Sequence, residues 1–188
     1  MNIVGFSGSP RKSGSTAVAV NKILGVAGEQ GASTHMFSAG ELEIKPCQAC
    51  QGCAKGGGCV IQDDMQPIYA ALKTADALVL GSPIYMGQMN AQAKAFTDRL
   101  YAHFKPRFSP AFQEEYAGKK LILVWTQGNP DGDMFKEYRD YTKKMFAMLE
   151  FDVCDVIVVA GTRSAASEQS DLDEKLKRAG VELAKAEG

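Results

Sequence analysis

The chain is poor in the residues that most often announce a site. Its 188 residues hold two histidines, one tryptophan and seven prolines, and its charges cancel to a net −1. His35 and His103 stand alone, with no second ligand at metal-binding spacing, so each reads as a surface or helix residue. A near-zero net charge gives no bulk attraction for nucleic acid or an anionic membrane. No apolar run approaches the ~20 residues needed to span a bilayer. No repeat, low-complexity stretch or leader-like segment is evident, so one domain over residues 1–188, in the cytoplasm, is the expectation. With 45% hydrophobic and 23% charged residues, such a domain can build a substantial core.

Cysteine is also scarce, but its distribution is not random. Four of the five cysteines, Cys47, Cys50, Cys53 and Cys59, fall within thirteen residues at the spacing C-x2-C-x2-C-x5-C. Close thiolates repel unless a bond or a cation holds them. Three soft ligands at three-residue steps, with a fourth after a glycine run, suit a cubane iron–sulfur cluster. Gly52, Gly56, Gly57 and Gly58 would let amide N–H groups approach the sulfurs. Bacterial ferredoxins place the fourth cysteine after three residues and follow it with proline, whereas here Val60 follows Cys59. A zinc site and a disulfide or unbridged-thiol segment remain alternatives from spacing alone. Cys154 sits in an apolar strand pattern and reads as core packing.

Apolar runs at residues 3–6, 33–37, 77–80, 121–125 and 153–160 read as strands, separated by stretches of helical periodicity. Ala17, Val20, Ile23, Leu24 and Ala27 mark the first helix. Asp63 and Asp64, with Gln66 in capping-box position, open the second. Asn90 caps a third, which carries Phe96, Leu100 and Phe104 on one face. Residues 106–118 read as a loop and 135–149 as a helix. Leu172, Leu176, Ala179 and Leu183 mark the last helix, with Glu174 and Arg178 paired on its wet side. Continuous apolar strands alternating with helices imply a parallel sheet covered on both faces. The fold class is therefore α/β: a flavodoxin-like, doubly wound, five-stranded parallel sheet of order 2-1-3-4-5. A cysteine-rich insertion, residues 44–62, lies between the second strand and second helix.

In that architecture ligands bind beyond the carboxyl ends of the strands, where residues 7–16, 81–89 and 126–131 gather. The first of these turns offers hydroxyls at Ser9, Ser13, Ser15 and Thr16, the cation Arg11, and the N–H groups of a helix start. It suits a monophosphate, and it is neither a G-x-G-x-x-G fingerprint nor a Walker loop.

Gly8-Ser9-Pro10-Arg11 with Ser15-Thr16, the cysteine run into Val60-Ile61-Gln62-Asp63-Asp64-Met65, and Gly81-Ser82-Pro83-Ile84-Tyr85 with Asp98-Arg99 together resemble the NADPH-dependent FMN reductase superfamily. Within it, the cysteine spacing resembles the iron–sulfur flavoprotein branch of anaerobic archaea and bacteria. The resemblance covers residues 1 to about 130, and beyond that only the strand–helix pattern is shared.

The resemblance implies noncovalent FMN. Ser9, Arg11, Ser15 and Thr16 would hold its phosphate. Ser82, Pro83, Ile84, Tyr85, Met86 and Gly87 would run along the isoalloxazine ring, with Gln127, Gly128 and Asn129 on its other side. Cys47, Cys50, Cys53 and Cys59 would ligate a 4Fe–4S cluster. It also implies a homodimer or homotetramer, with chemistry carried on cofactors rather than on a catalytic side chain. The leading expectation is an electron-transfer oxidoreductase that draws on ferredoxin or NAD(P)H, with no nucleic-acid or membrane partner. The alternatives are an NAD(P)H-dependent FMN or quinone reductase without a cluster, and a thiol-based redox or metal sensor. Asp98-Arg99 reads as a structural ion pair or interface charge, and Trp125 as either a flavin neighbour or core.

Overall fold

The computed structural model describes residues 1–55, 57–104, 117–162 and 170–185. Strands β1 (Asn2–Ser7), β2 (Ser33–Ser38), β3 (Ala77–Tyr85), β5 (Lys120–Thr126) and β6 (Asp152–Val159) form a parallel sheet in the order β2-β1-β3-β5-β6. This is the expected doubly wound order with one addition. The two-residue strand β4 (Gln88–Met89) folds back antiparallel on the end of β3.

Alternation along the strands sends side chains to two cores. Val4, Phe6, Leu78, Leu80, Leu121 and Leu123 face helices α2 (Met65–Thr74), α3 (Ala91–Arg99) and α5 (Lys136–Met148), where Ile68, Phe96 and Phe146 are fully buried. A short helix α4 (Tyr101–Phe104) follows α3. Ile3, Val79, Ile122 and Val124 face α1 (Ser15–Glu29) and α6 (Ser170–Ala184) through Val20, Ile23, Leu24, Leu176 and Leu183. Each fully buried aliphatic or aromatic side chain contributes roughly 1.5–3 kcal/mol, so two such layers hold the sheet between its helices. Trp125 belongs to the first core, edge-on to Tyr138 at 5.6 Å.

Several local expectations are corrected. β3 runs through Tyr85, beyond the expected end at Leu80, because residues 84–85 pair with β4 across a two-residue turn at Met86 and Gly87, both at positive φ. Cys154 is exposed rather than in the core: the register of β6 skips it, and this bulge on an edge strand turns its side chain outward. Arg178 meets Glu182 rather than Glu174, and Asp98 meets Lys94 rather than Arg99. Both alternatives are i,i+4 pairs of the kind a helix offers in either direction. The expected loop at 106–118 lies outside the described residues up to 116, as does the side chain of Phe104.

Helix α1 rides unusually close to the sheet. A Cβ on Gly81 would stand 2.6 Å from Val20 Cγ2 and 2.8 Å from Thr16 Cγ2, inside the range real side chains tolerate. Replacing Gly81 by Val should therefore push α1 off the sheet and cost about 1–3 kcal/mol, read as a lower urea midpoint at unchanged m-value. An unshifted midpoint would contradict the close packing.

Candidate functional site

The carboxyl edge of the sheet is built from loops that tie one another in place. Gly8 donates its N–H to Gly81 O at 2.8 Å, and its own carbonyl accepts from Asn90 Nδ2 at 2.6 Å. Asn90 also caps α3, accepting from the Ala93 N–H at 3.3 Å, and its backbone N–H reaches Ser82 Oγ at 3.3 Å. One buried amide thus joins the loop after β1 to the β3–β4 hairpin. Sequence reasoning identified Asn90 as a cap and missed this second role, which depends on a partner 82 positions away.

The phosphate-type loop places its predicted residues unevenly. Arg11 and Ser13 are exposed and Ser15 is half-buried at the start of α1, whose first turn carries no side-chain cap from Gly14. That leaves an electropositive helix start facing the loop. Ser9 is buried, and its Oγ accepts from the Arg11 N–H at 3.2 Å, shaping the loop. Thr16 Oγ1 shares a buried 2.7 Å hydrogen bond with Thr126 Oγ1 and faces inward. Ser82 is likewise engaged with Asn90 and Pro83 O. Ser82, Pro83 and Ile84 are buried within β3, while Tyr85, Met86 and Gly87 form the hairpin tip, with Met86 fully exposed.

Past β5, Gln127 is buried and its Nε2 donates to Asp131 O at 2.6 Å and Asn129 O at 3.2 Å, folding the turn that holds Gly128 and Asn129. The turn after β6 is tied to it by Gly161 N–H to Asn129 O and Thr162 N–H to Gln127 O. Ser38 Oγ, Trp125 Nε1 and Gln127 Oε1, at or just past the carboxyl ends of β2 and β5, are buried with no hydrogen-bond partner. Unpaired buried polar atoms are costly, and of these Gln127 Oε1 lies in a turn that the sequence marks as a binding loop.

All four clustered cysteines line one small cavity of about 30 Å³, together with Arg99 and Tyr101, and no disulfide joins them. Cys53 and Cys59 are half-buried, and Cys47 and Cys50 are exposed. Among the described residues, no three His, Cys, Asp or Glu side chains meet at single-ion spacing. The chain turns left-handed at Ala49, Gln51, Gly57 and Gly58, and a one-turn 3-10 helix spans Gly52–Lys55. Of the glycines expected to use this freedom, Gly57 and Gly58 do and Gly52 does not, Gly56 lies outside the described residues, and the non-glycine residues Ala49 and Gln51 adopt it too. Soft donors converging on one pocket, with left-handed turns between them, fit an iron–sulfur cluster, whose own atoms hold the thiolates apart.

The segment is anchored by a buried ion pair that the sequence did not reveal. Arg99, on α3, grips Asp63 with Nη1 to Oδ2 at 2.7 Å and Nη2 to Oδ1 at 3.0 Å, and both side chains are almost wholly buried. Asp63 also accepts from the N–H groups of Lys45 and Met65, and Asp64 from that of Glu43 at 2.7 Å. Gln66, expected to close a capping box, instead donates to Ile61 O at 2.6 Å and Cys59 O at 3.2 Å. The expected capping box is therefore replaced by a dock for the two arms of the cysteine segment. Hairpin and segment also share a cleft of about 760 Å³ between α3 and α5, bordered by Cys47, Ala49, Gln88, Met89, Tyr101 and Tyr138.

Burial raises the Asp63 pKa, but the Arg99 hydrogen bonds, the Lys45 and Met65 N–H groups and the Arg99 charge together outweigh it and hold the carboxyl below its ordinary range. A depressed carboxylate contributes stability that is present above its unfolded pKa of about 3.9 and lost as pH falls through the folded value. Asp63→Asn should accordingly cost about 3 kcal/mol in urea unfolding at pH 7, with the deficit shrinking below about pH 4. A deficit independent of pH would contradict the assigned pair.

The family profile described as NADPH-dependent FMN reductase matches residues 1–166. An iron–sulfur flavoprotein of Methanocaldococcus jannaschii is 40% identical over 99 residues, 53% of this chain and 51% of that protein. Another, of Methanosarcina thermophila, is 41% identical over 99 residues, 53% of this chain and 52% of that protein. The aligned stretch thus spans about half the length of these relatives. An NAD(P)H:quinone oxidoreductase structure from Methanothermobacter marburgensis superposes with a TM-score of 0.70 at 14% identity, covering 100% of this chain and 99% of that one, which shows a shared fold. With its parallel sheet, its carboxyl-edge loops and its cysteine run all in place, the chain belongs to the NADPH-dependent FMN reductase family of flavin-dependent oxidoreductases, in the iron–sulfur flavoprotein branch.

Proposed function

We propose that the protein is an electron-transfer oxidoreductase that holds FMN at the carboxyl edge of its sheet and a 4Fe–4S cluster on Cys47, Cys50, Cys53 and Cys59. It would take electrons from a one-electron carrier such as ferredoxin and deliver them to a two-electron acceptor. The observation that carries this reading is the convergence of all four thiols on one cavity, in a segment that shares a cleft with the β3–β4 hairpin. The iron–sulfur flavoprotein names of the relatives support it. FMN stores one or two electrons and a cluster passes one at a time, so the pair would supply conversion between the two kinds of carrier.

The chain's own residues do the holding. The uncapped start of α1 stabilises a phosphate through its N–H groups and dipole, with Arg11, Ser13 and Ser15 as the accessible donors. Ser9 and Thr16 act one step back: Ser9 fixes the loop through the Arg11 N–H, and Thr16 fixes the helix through Thr126. The hairpin tip at Tyr85, Met86 and Gly87, and the turn at Gln127, Gly128 and Asn129, would flank the ring. Exposed Tyr85, Met86, Tyr141 and Met148 offer apolar surface to a second copy, consistent with a homodimer or homotetramer. No described helix is long and apolar enough to cross a membrane, and the cytoplasm is the proposed compartment.

The family description supports NADPH as a donor, and a second reading has it reduce the flavin directly, without a cluster on the thiols. Anaerobic rapid mixing separates the two. Reduced ferredoxin should bleach the flavin at least tenfold faster than NADPH, and Cys53→Ser should abolish that advantage. Faster bleaching by NADPH, unaffected by Cys53→Ser, would establish the second reading instead. Arg11→Ala should weaken FMN about tenfold in a fluorescence titration, the loss of one charge-assisted hydrogen bond. An unchanged affinity would remove Arg11 from the site, and a wild-type chain that takes up no FMN would restore the thiol-sensor alternative.

A further inference from the structure

Arg99 makes more contacts to the cysteine segment than an ion pair requires. Besides both oxygens of Asp63, its Nη1 donates to Lys45 O at 2.8 Å, its Nη2 reaches Ile61 O at 3.5 Å, and its Nε lies 3.3 Å from Tyr69 Oη. Lys45 stands two residues before Cys47 and Ile61 two residues after Cys59. A single guanidinium therefore closes both arms of the segment at its base. The Tyr69 hydroxyl donates to Arg99 O at 2.7 Å and interacts with Cys59, linking the clamp to a thiol. Arg99 itself lines the cavity of the four thiols, and its side chain has no exposure to solvent.

We propose that Arg99 is a positioning residue for the cysteine segment and the buried counter-charge of the centre the four thiols hold. The proposal rests on the iron–sulfur reading above. A planar fork can bond both arms and Asp63 at once, which the point charge of a lysine cannot, so geometry and charge are separable by substitution. A cation beside an anionic centre favours its more reduced, more negative form and raises its reduction potential. Asp63 opposes this from the same pair. Removing Arg99 should lower the potential and neutralising Asp63 should raise it.

The test uses the full chain, purified and reconstituted with iron and sulfide without oxygen, as wild type, R99K, R99Q and D63N. Cooperative thermal melting checks that each variant folds. R99K should lose its cluster to a chelator at least tenfold faster than wild type while keeping a near wild-type midpoint potential. R99Q should lose it as fast, with a lowered potential, and D63N should show a raised one. A purely structural role would shift R99Q and D63N the same way or not at all, and either result overturns the counter-charge. Chelator rates equal to wild type in R99K and R99Q overturn the positioning role.

Amide hydrogen exchange on the iron-free chain supplies an independent readout. Residues 45–61 should exchange at least tenfold faster in R99K, and unchanged exchange again overturns positioning. A wild type that holds no iron overturns the cluster reading and the counter-charge together, while the exchange comparison still decides the clamp.

Discussion

The bidentate pair between Arg99 and Asp63 is the fastening on which the functional half of the molecule depends. Among the described residues of 44–62 there is one turn of 3-10 helix and no strand, so these have little regular hydrogen bonding of their own. They are held by side chains reaching in from α3 and the start of α2: Arg99 to Lys45 and Ile61, Asp63 to Lys45, Asp64 to Glu43, and Gln66 to Cys59 and Ile61. A buried ion pair is seldom a net gain in stability, because two charges must leave water. Its value here is specificity: one arrangement of the segment satisfies every donor of the fork.

The carboxyl edge of the sheet follows the same logic with uncharged groups. Asn90 and Gln127 are buried amides: Asn90 Nδ2 donates to Gly8 O and Gln92 Oε1, and Gln127 Nε2 to Asn129 O and Asp131 O. The first ties the loop after β1 to the β3–β4 hairpin, and the second folds the turn after β5 on itself. Gln88 and Met89 of the hairpin and Cys47 and Ala49 of the thiol segment border one cleft with Lys94, Thr97 and Asp98 of α3. Rigid elements set the spacing, and loops supply the chemistry.

The architecture was legible because parallel strands buried on both faces read as unbroken apolar runs. The runs at 3–6, 77–80 and 121–125 each lie within observed strands, and the order follows from the alternation with helices. The cysteine spacing and the serine-rich first loop marked the two candidate sites. What was not legible depended on distance or on small departures from regularity. Asp63 followed by Gln66 satisfies a local capping pattern, but the carboxylate is claimed by an arginine 36 residues away. Cys154 lies in an apolar run, yet a one-residue bulge turns it out. The hydrogen bonds of Thr16 to Thr126, and of Ser82 to Asn90 and Pro83, join residues far apart in sequence or depend on a turn, and no local pattern announces them. Donor type can be read from a sequence; the direction in which a donor points cannot.

The central claim is that four thiolates and an anion-binding loop make one chain a carrier of two redox centres. The most direct measurement is a combined iron, acid-labile sulfide and FMN assay with a visible spectrum, on a single sample prepared without oxygen. The expected result is a brown protein with about four iron and four sulfide per chain alongside bound FMN. A yellow protein with FMN but no iron, or a colourless one with zinc on the cysteines, would contradict it.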